Sequence, residues 1–126
     1  MDDSFYIEGA LELTINGINL ISIEMWDCVD QLWAYLIDGL VSVNNKKIFT
    51  CYFPDQPIKV SFLPISNINI MVSVTCNKEK KTIINKKEFL DAMQKSARHF
   101  LKYLVYIAPE EKENSERLLK ELDSII

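Results

Sequence analysis

The chain opens on an alternation of apolar and polar residues that runs on both sides of a two-residue break. From Gly9 to Ile23 it reads Gly-Ala-Leu-Glu-Leu-Thr-Ile-Asn-Gly-Ile-Asn-Leu-Ile-Ser-Ile, with Asn16-Gly17 at the centre. A two-residue hairpin loop of type I′ needs positive φ at both central positions, and Asn-Gly tolerates that best. With those two residues in the loop, Ile15 faces Ile18, Leu13 faces Leu20 and Leu11 faces Ser22 on one side. Thr14 faces Asn19 and Glu12 faces Ile21 on the other. A slip of one residue would turn the apolar set outward, so the pattern selects this register.

The period then changes. Trp26, Val29, Leu32, Trp33, Leu36 and Leu40 recur at spacings of three and four, which predicts an amphipathic helix from about Met25 to Val43, packed on a sheet. Its opposite stripe is Asp27, Asp30, Gln31, Ala34 and Asp38, and the first two aspartates suit the positive end of the helix dipole. Gly39 is a weak point in this helix, and Asn44 to Lys47 marks its exit.

Strand patterns follow at Ile48–Phe53, at Ile58–Phe62 with Ile58, Val60 and Phe62 inward, and over the nine residues Ile68–Cys76. Pro54, Asp55 and Pro57 make a turn between the first two, and Pro64 ends the second. Residues 77–81 read as a polar turn, and Thr82–Ile84 as a short returning strand at or near an edge, where lysines discourage pairing with another chain.

Asn85, with Glu88 three residues on, reads as the cap of a long helix. Phe89, Leu90, Met93, Ala97, Phe100, Leu101 and Leu104 form its buried face, and Asp91, Lys95, Arg98 and Lys102 its wet face, with Tyr103 and Tyr106 at the margin. Pro109 breaks that helix and opens a last one, to about Asp123, that buries Leu118, Leu119, Leu122 and Ile125. The order is ββ-α-ββββ-αα. Strands grouped apart from helices imply a single α+β domain over 1–126: an antiparallel sheet of about five to six strands with helices on one face.

Composition narrows the function classes. The 126 residues are 48% hydrophobic and 25% charged, the balance of a folded domain and not of a disordered tail. The longest charge-free stretch begins at Val60 and is interrupted by Ser61, Pro64, Ser66, Asn67 and Asn69, so no membrane span is expected. Met1-Asp2-Asp3-Ser4 is acidic where a secretory signal would be basic, and the expectation is a cytoplasmic protein. Twelve lysines against two arginines, sixteen isoleucines and nine asparagines share AT-rich codons, which points to a low-GC bacterial genome. Cys28, Cys51 and Cys76 are widely spaced and odd in number, and there is one histidine. They read as reduced thiols in core positions and not as a zinc site.

Candidate chemistry is sparse. No GxGxxG, GxxxxGK[ST], GxSxG or HExxH occurs, so no cofactor, metal or catalytic set is expected. The catalytic alternative is His99 as a general base with Glu88 or Asp91, set against a plain surface histidine. The aspartate stripe cannot form one metal shell, because Asp38 lies about 12 Å along the axis from Asp30. A linear stripe suits an extended basic surface on a protein partner, and Asp27, Asp30, Gln31 and Asp38 are the residues it would use. Lysines 46, 47, 78, 80, 81, 86 and 87 cluster, but the formal net charge of −4 and the dearth of arginine argue against nucleic acid. The chain is expected to be a monomer or a homodimer; a dimeric structural module paired through a sheet edge is a third option.

A resemblance adds to this. The segment Gly9-Ala-Leu-Glu-Leu-Thr-Ile-Asn-Gly17 is followed by Trp26-Asp-Cys-Val-Asp-Gln-Leu-Trp-Ala-Tyr-Leu36, then Phe53-Pro-Asp-Gln-Pro57, an alternating strand, and Phe89-Leu-Asp-Ala-Met93 leading to Ala97-Arg-His-Phe-Leu101. In this order the chain resembles the immunity proteins encoded beside bacterial polymorphic and contact-dependent toxins, over about residues 9 to 104. The resemblance implies a cytosolic inhibitor that binds a toxin domain and has no activity of its own. That class shares no single binding site, so no residue role is carried over.

Overall fold

The Asn16-Gly17 loop forms as its chemistry requires. A computed structural model describes residues 8–9, 13–21 and 27–125, and in it Asn16 has φ +53° and Gly17 φ +79°. The loop joins β2 (Leu13–Ile15) to β3 (Ile18–Ile21). Ile15 lies opposite Ile18 and Thr14 opposite Asn19, as expected, and Asn19 Nδ2 donates to Thr14 Oγ1 at 3.0 Å. Beyond that pair the register shifts, and Leu13 meets Ile21 where Leu20 was expected. The shift leaves one extra residue on β3, which lets the consecutive Leu20 and Ile21 both reach full burial. Leu11, Glu12, Ser22 and Trp26 lie outside the described residues.

Before the first helix, Asp27–Cys28 (β4) pairs antiparallel with Glu8–Gly9 (β1). α1 therefore spans Val29–Asn44 and starts later than the predicted Met25. Leu32, Trp33, Leu36 and Leu40 are buried as the period predicts, and Ile37 and Val43 join them. The helix ends with Lys46 at φ +62°, a left-handed position that favours glycine, and Lys47 N donates to Ser42 O at 2.9 Å.

The next four strands are β5 (Phe49–Tyr52), β6 (Lys59–Pro64), β7 (Asn69–Cys76) and β8 (Lys78–Asn85), antiparallel in that spatial order. Ile58, Val60, Phe62, Ile70, Val72 and Val74 are buried on the inner side. β8 is eight residues long where a five-residue turn and a short strand were expected. The Lys78–Lys81 run carries no apolar alternation, yet its backbone pairs residue by residue with β7, and Asn77 at φ +67° makes the reversal. The single sheet of five to six strands becomes a four-stranded sheet, the separate β2–β3 hairpin and the short β1–β4 ladder. The hairpin is fixed to β8 by side chains: Asn16 Nδ2 donates to Thr82 Oγ1 at 3.0 Å and to Ile83 O at 2.8 Å, and Lys80 Nζ donates to Asn19 O at 3.3 Å.

α2 (Lys86–Ile107) starts at the predicted cap, where Glu88 N donates to Asn85 Oδ1 at 3.1 Å. Its seven predicted inner residues are buried or half-buried. Tyr103 and Tyr106, expected at the margin, are 54% and 83% exposed. Pro109–Glu111 forms a 3-10 turn in place of the first turn of the last helix, and α3 spans Lys112–Asp123. The architecture is α+β, with α1 and α2 against the sheet and α3 packed chiefly on those two helices. No helix among the described residues is long and apolar enough to cross a membrane.

Aromatic rings join the layers. Phe62 lies 5.4 Å from Phe49 and 5.1 Å from Phe89, and Trp33 of α1 stacks at 6.0 Å on Phe100 of α2. Gly39, read in the sequence as a weak point, packs directly against two rings of the sheet, Phe49 and Phe62. A Cβ there would lie 2.5 Å from Phe49 Cδ2 and 2.8 Å from Phe62 Cε2.

Candidate functional site

The acidic stripe of α1 is only partly open to solvent. Asp27 sits in β4 and not on the helix, which removes it from the stripe: its backbone is paired with Gly9 before the helix begins. Asp30 is half-buried, Gln31 and Asp38 are exposed, and Ala34 packs against the core. The missing neighbour in the sequence reading is α3, which runs alongside α1 in the same direction.

At the start of the seam, Asp30, Gln31 and Ala34 line a shallow cavity of about 340 Å3 with Glu111 and Asn114. Glu111 is only 7% exposed, and its Oε2 accepts from Asn114 Nδ2 at 3.4 Å. Two turns further on, Asp38 stands beside Glu121, whose Oε1 pairs with Arg117 Nη1 at 3.2 Å. Glu121 Oε2 is shielded from solvent and has no hydrogen-bond donor. Burial, then the nearby Asp38 charge, push the Glu121 carboxyl above its ordinary range, while Arg117 pulls the other way. Arg117 is itself braced by Asn114 Oδ1 at 2.7 Å. The seam thus carries two pairs of carboxyl groups, Asp30 with Glu111 at its start and Asp38 with Glu121 two turns on, and Arg117 pairs with the last of them.

Three of the four expected binding residues, Asp30, Gln31 and Asp38, belong to this seam, and Asp27 stands apart. Glu111, Asn114, Arg117 and Glu121 were missed. Their spacing along α3 puts them on one stripe beside the apolar one, but that stripe gains meaning only once α3 lies against α1.

Other candidates part company. His99 is exposed on α2, and Asp91 and Glu88 lie about 12 and about 16 Å from it along the helix axis, out of hydrogen-bond reach. Asp91 is engaged with Lys87 at 3.4 Å. Among the described residues no group of three histidine, cysteine or acidic side chains could hold a metal ion. Cys51 and Cys76 are free and half-buried against the core; burial pushes the Cys51 thiol up to about 11, which keeps it protonated and a poor nucleophile. Lysines 80, 81, 86 and 87 each have a partner within the chain. A cavity of about 500 Å3 lies at the start of α2 among Asn44, Asn67, Asn85, Lys86, Lys87 and Gln94, and includes no residue of the stripe.

Comparison with protein-family models, with curated proteins and with solved structures finds no match for this chain.

Proposed function

We propose that this chain is a non-catalytic binding protein of the immunity type, a cytoplasmic inhibitor that neutralises a cognate bacterial toxin domain by offering the α1/α3 seam to a basic surface. The observation that supports this reading is the crowding of carboxyl groups there. Burial and, after it, the Asp38 charge raise the Glu121 carboxyl against the pull of Arg117, so ionised Asp38 and Glu121 stand side by side at a cost. Cations from a partner would relieve that repulsion, and a linear stripe of like charge steers an oppositely charged protein and sets its register.

The test is co-expression with the large product of the adjacent gene, paired with the D30K/D38K variant. Rescue of growth and a stable complex are expected for the native chain. The double variant should associate more slowly, with the deficit shrinking as salt rises past about 0.15 M. No complex with the native chain would sink the inhibitor reading; a complex whose affinity in low salt ignores the double substitution would remove the seam from it.

A further inference from the structure

The other flank of α3 has the opposite character. Between α2 and α3 runs an open groove of about 420 Å3, floored by Leu101, Val105 and Leu119. Lys102 and Lys112 stand on opposite walls, and among the described residues neither ammonium has an ion-pair or hydrogen-bond partner. Arg98 at one end is already held by Asp123 at 2.7 Å, and Glu116 is the acid in the lining.

Two features single this groove out. Lys112 opens α3, where the helix dipole favours an acid, so its charge is misplaced for stability. Ser115, 1% exposed and part of the lining, has an Oγ with no hydrogen-bond partner among the described residues, which costs stability. Local choices that oppose stability are expected where function requires them.

We propose that the α2/α3 groove is a second docking surface, for an acidic segment of a protein partner that inserts one large apolar side chain over Leu101, Val105 and Leu119 while its carboxylates pair with Lys102 and Lys112. Charge selects the occupant: two unpaired ammonium groups flank an apolar floor in a chain whose net charge is −4. Shape favours a peptide over a small molecule. The groove is open along its length, whereas small-molecule sites enclose most of their ligand. The surface is distinct from the α1/α3 seam and stands whether or not the inhibitor reading does.

The experiment uses the full chain, labelled with nitrogen-15, and two blocked hexapeptides: Glu-Glu-Leu-Phe-Glu-Glu and its counterpart Lys-Lys-Leu-Phe-Lys-Lys. The acidic peptide should shift the amides of Leu101, Val105, Ser115 and Leu119 at millimolar concentration, and the basic one should leave them in place. K102E/K112E should weaken the acidic peptide about tenfold. Both lysines are exposed, and at position 112 the helix dipole favours the acid, so the variant is expected to fold, which its amide spectrum checks. Three results would overturn the proposal: no shift at these amides, an equal response to both peptides, or undiminished binding by the double variant. So would decanoate moving the same amides at lower concentration than the peptide, which would assign the groove to amphipathic acids. Shifts that appear on dilution without peptide would assign it to a second copy of the chain.

Discussion

α1 has two sides that do different work. Toward the sheet it buries Leu36, Leu40 and Val43 completely and brings Gly39 against the rings of Phe49 and Phe62. Toward α3 it presents Asp30, Gln31, Ala34 and Asp38 to a row of carboxyl and amide groups. The first side is governed by volume, since a close-packed interior responds to every methylene. The second is governed by charge, which solvent screens. The same helix should therefore lose much stability to small changes of shape on one side and very little to changes of charge on the other.

The largest expected effect lies at Trp33, 4% exposed and stacked on Phe100. Trp33→Ala should cost about 3–5 kcal/mol in urea unfolding, because the ring's contacts are lost and a void remains. A cost near zero would mean that the inner side does not hold the helical layer together. Gly39→Ala comes next. Although alanine favours a helix over glycine, the added methyl would sit inside the contact distance of two aromatic rings, and overpacking of this kind costs about 1–3 kcal/mol. A gain in stability would show that Phe49, at the sheet edge, moves aside freely.

The smallest effect, and the one that tests the charged side, is Glu121→Gln. Because the folded protein raises this carboxyl, its protonated form is favoured in the fold. Its stabilising contribution is complete below the unfolded value and disappears as pH climbs through the raised folded value. At pH 7 the ionised group is a net cost, so glutamine should raise the unfolding midpoint slightly, by less than about 0.5 kcal/mol for a partly exposed side chain. At pH 3, where Glu121 is protonated in both states, the gain should vanish. A loss at pH 7 would show that the pair with Arg117 outweighs the repulsion from Asp38.

These two sides were not equally legible in the sequence. Spacing alone places Leu32, Trp33, Leu36 and Leu40 on one stripe, because burial against a sheet writes itself into the residues that are buried. The β2–β3 loop was legible for a similar reason: Asn16-Gly17 carries its own conformational signal. Three things were not. Asp27 looks like a first-turn helix residue, and only pairing with Gly9, eighteen positions away, draws it into a strand. The Lys78–Lys81 half of β8 lacks alternation, and β7 imposes the strand through backbone hydrogen bonds that any side chain permits. The seam depends on Glu111 and Glu121, far along the chain, and helical period cannot say which neighbour a polar stripe will meet.

The clasp between the hairpin and β8 has a chemical consequence of its own. Asn16 reaches Thr82 and the carbonyl of Ile83 through its side-chain nitrogen. Aspartate has nearly the same shape, but when ionised it only accepts hydrogen bonds. Hydrolysis of that one amide would bring a negative oxygen against the Ile83 carbonyl and turn an attraction into a repulsion, with no change in the fold's apolar core. The junction between hairpin and sheet is therefore a place where the molecule can age, recording its time in solution in a single atom.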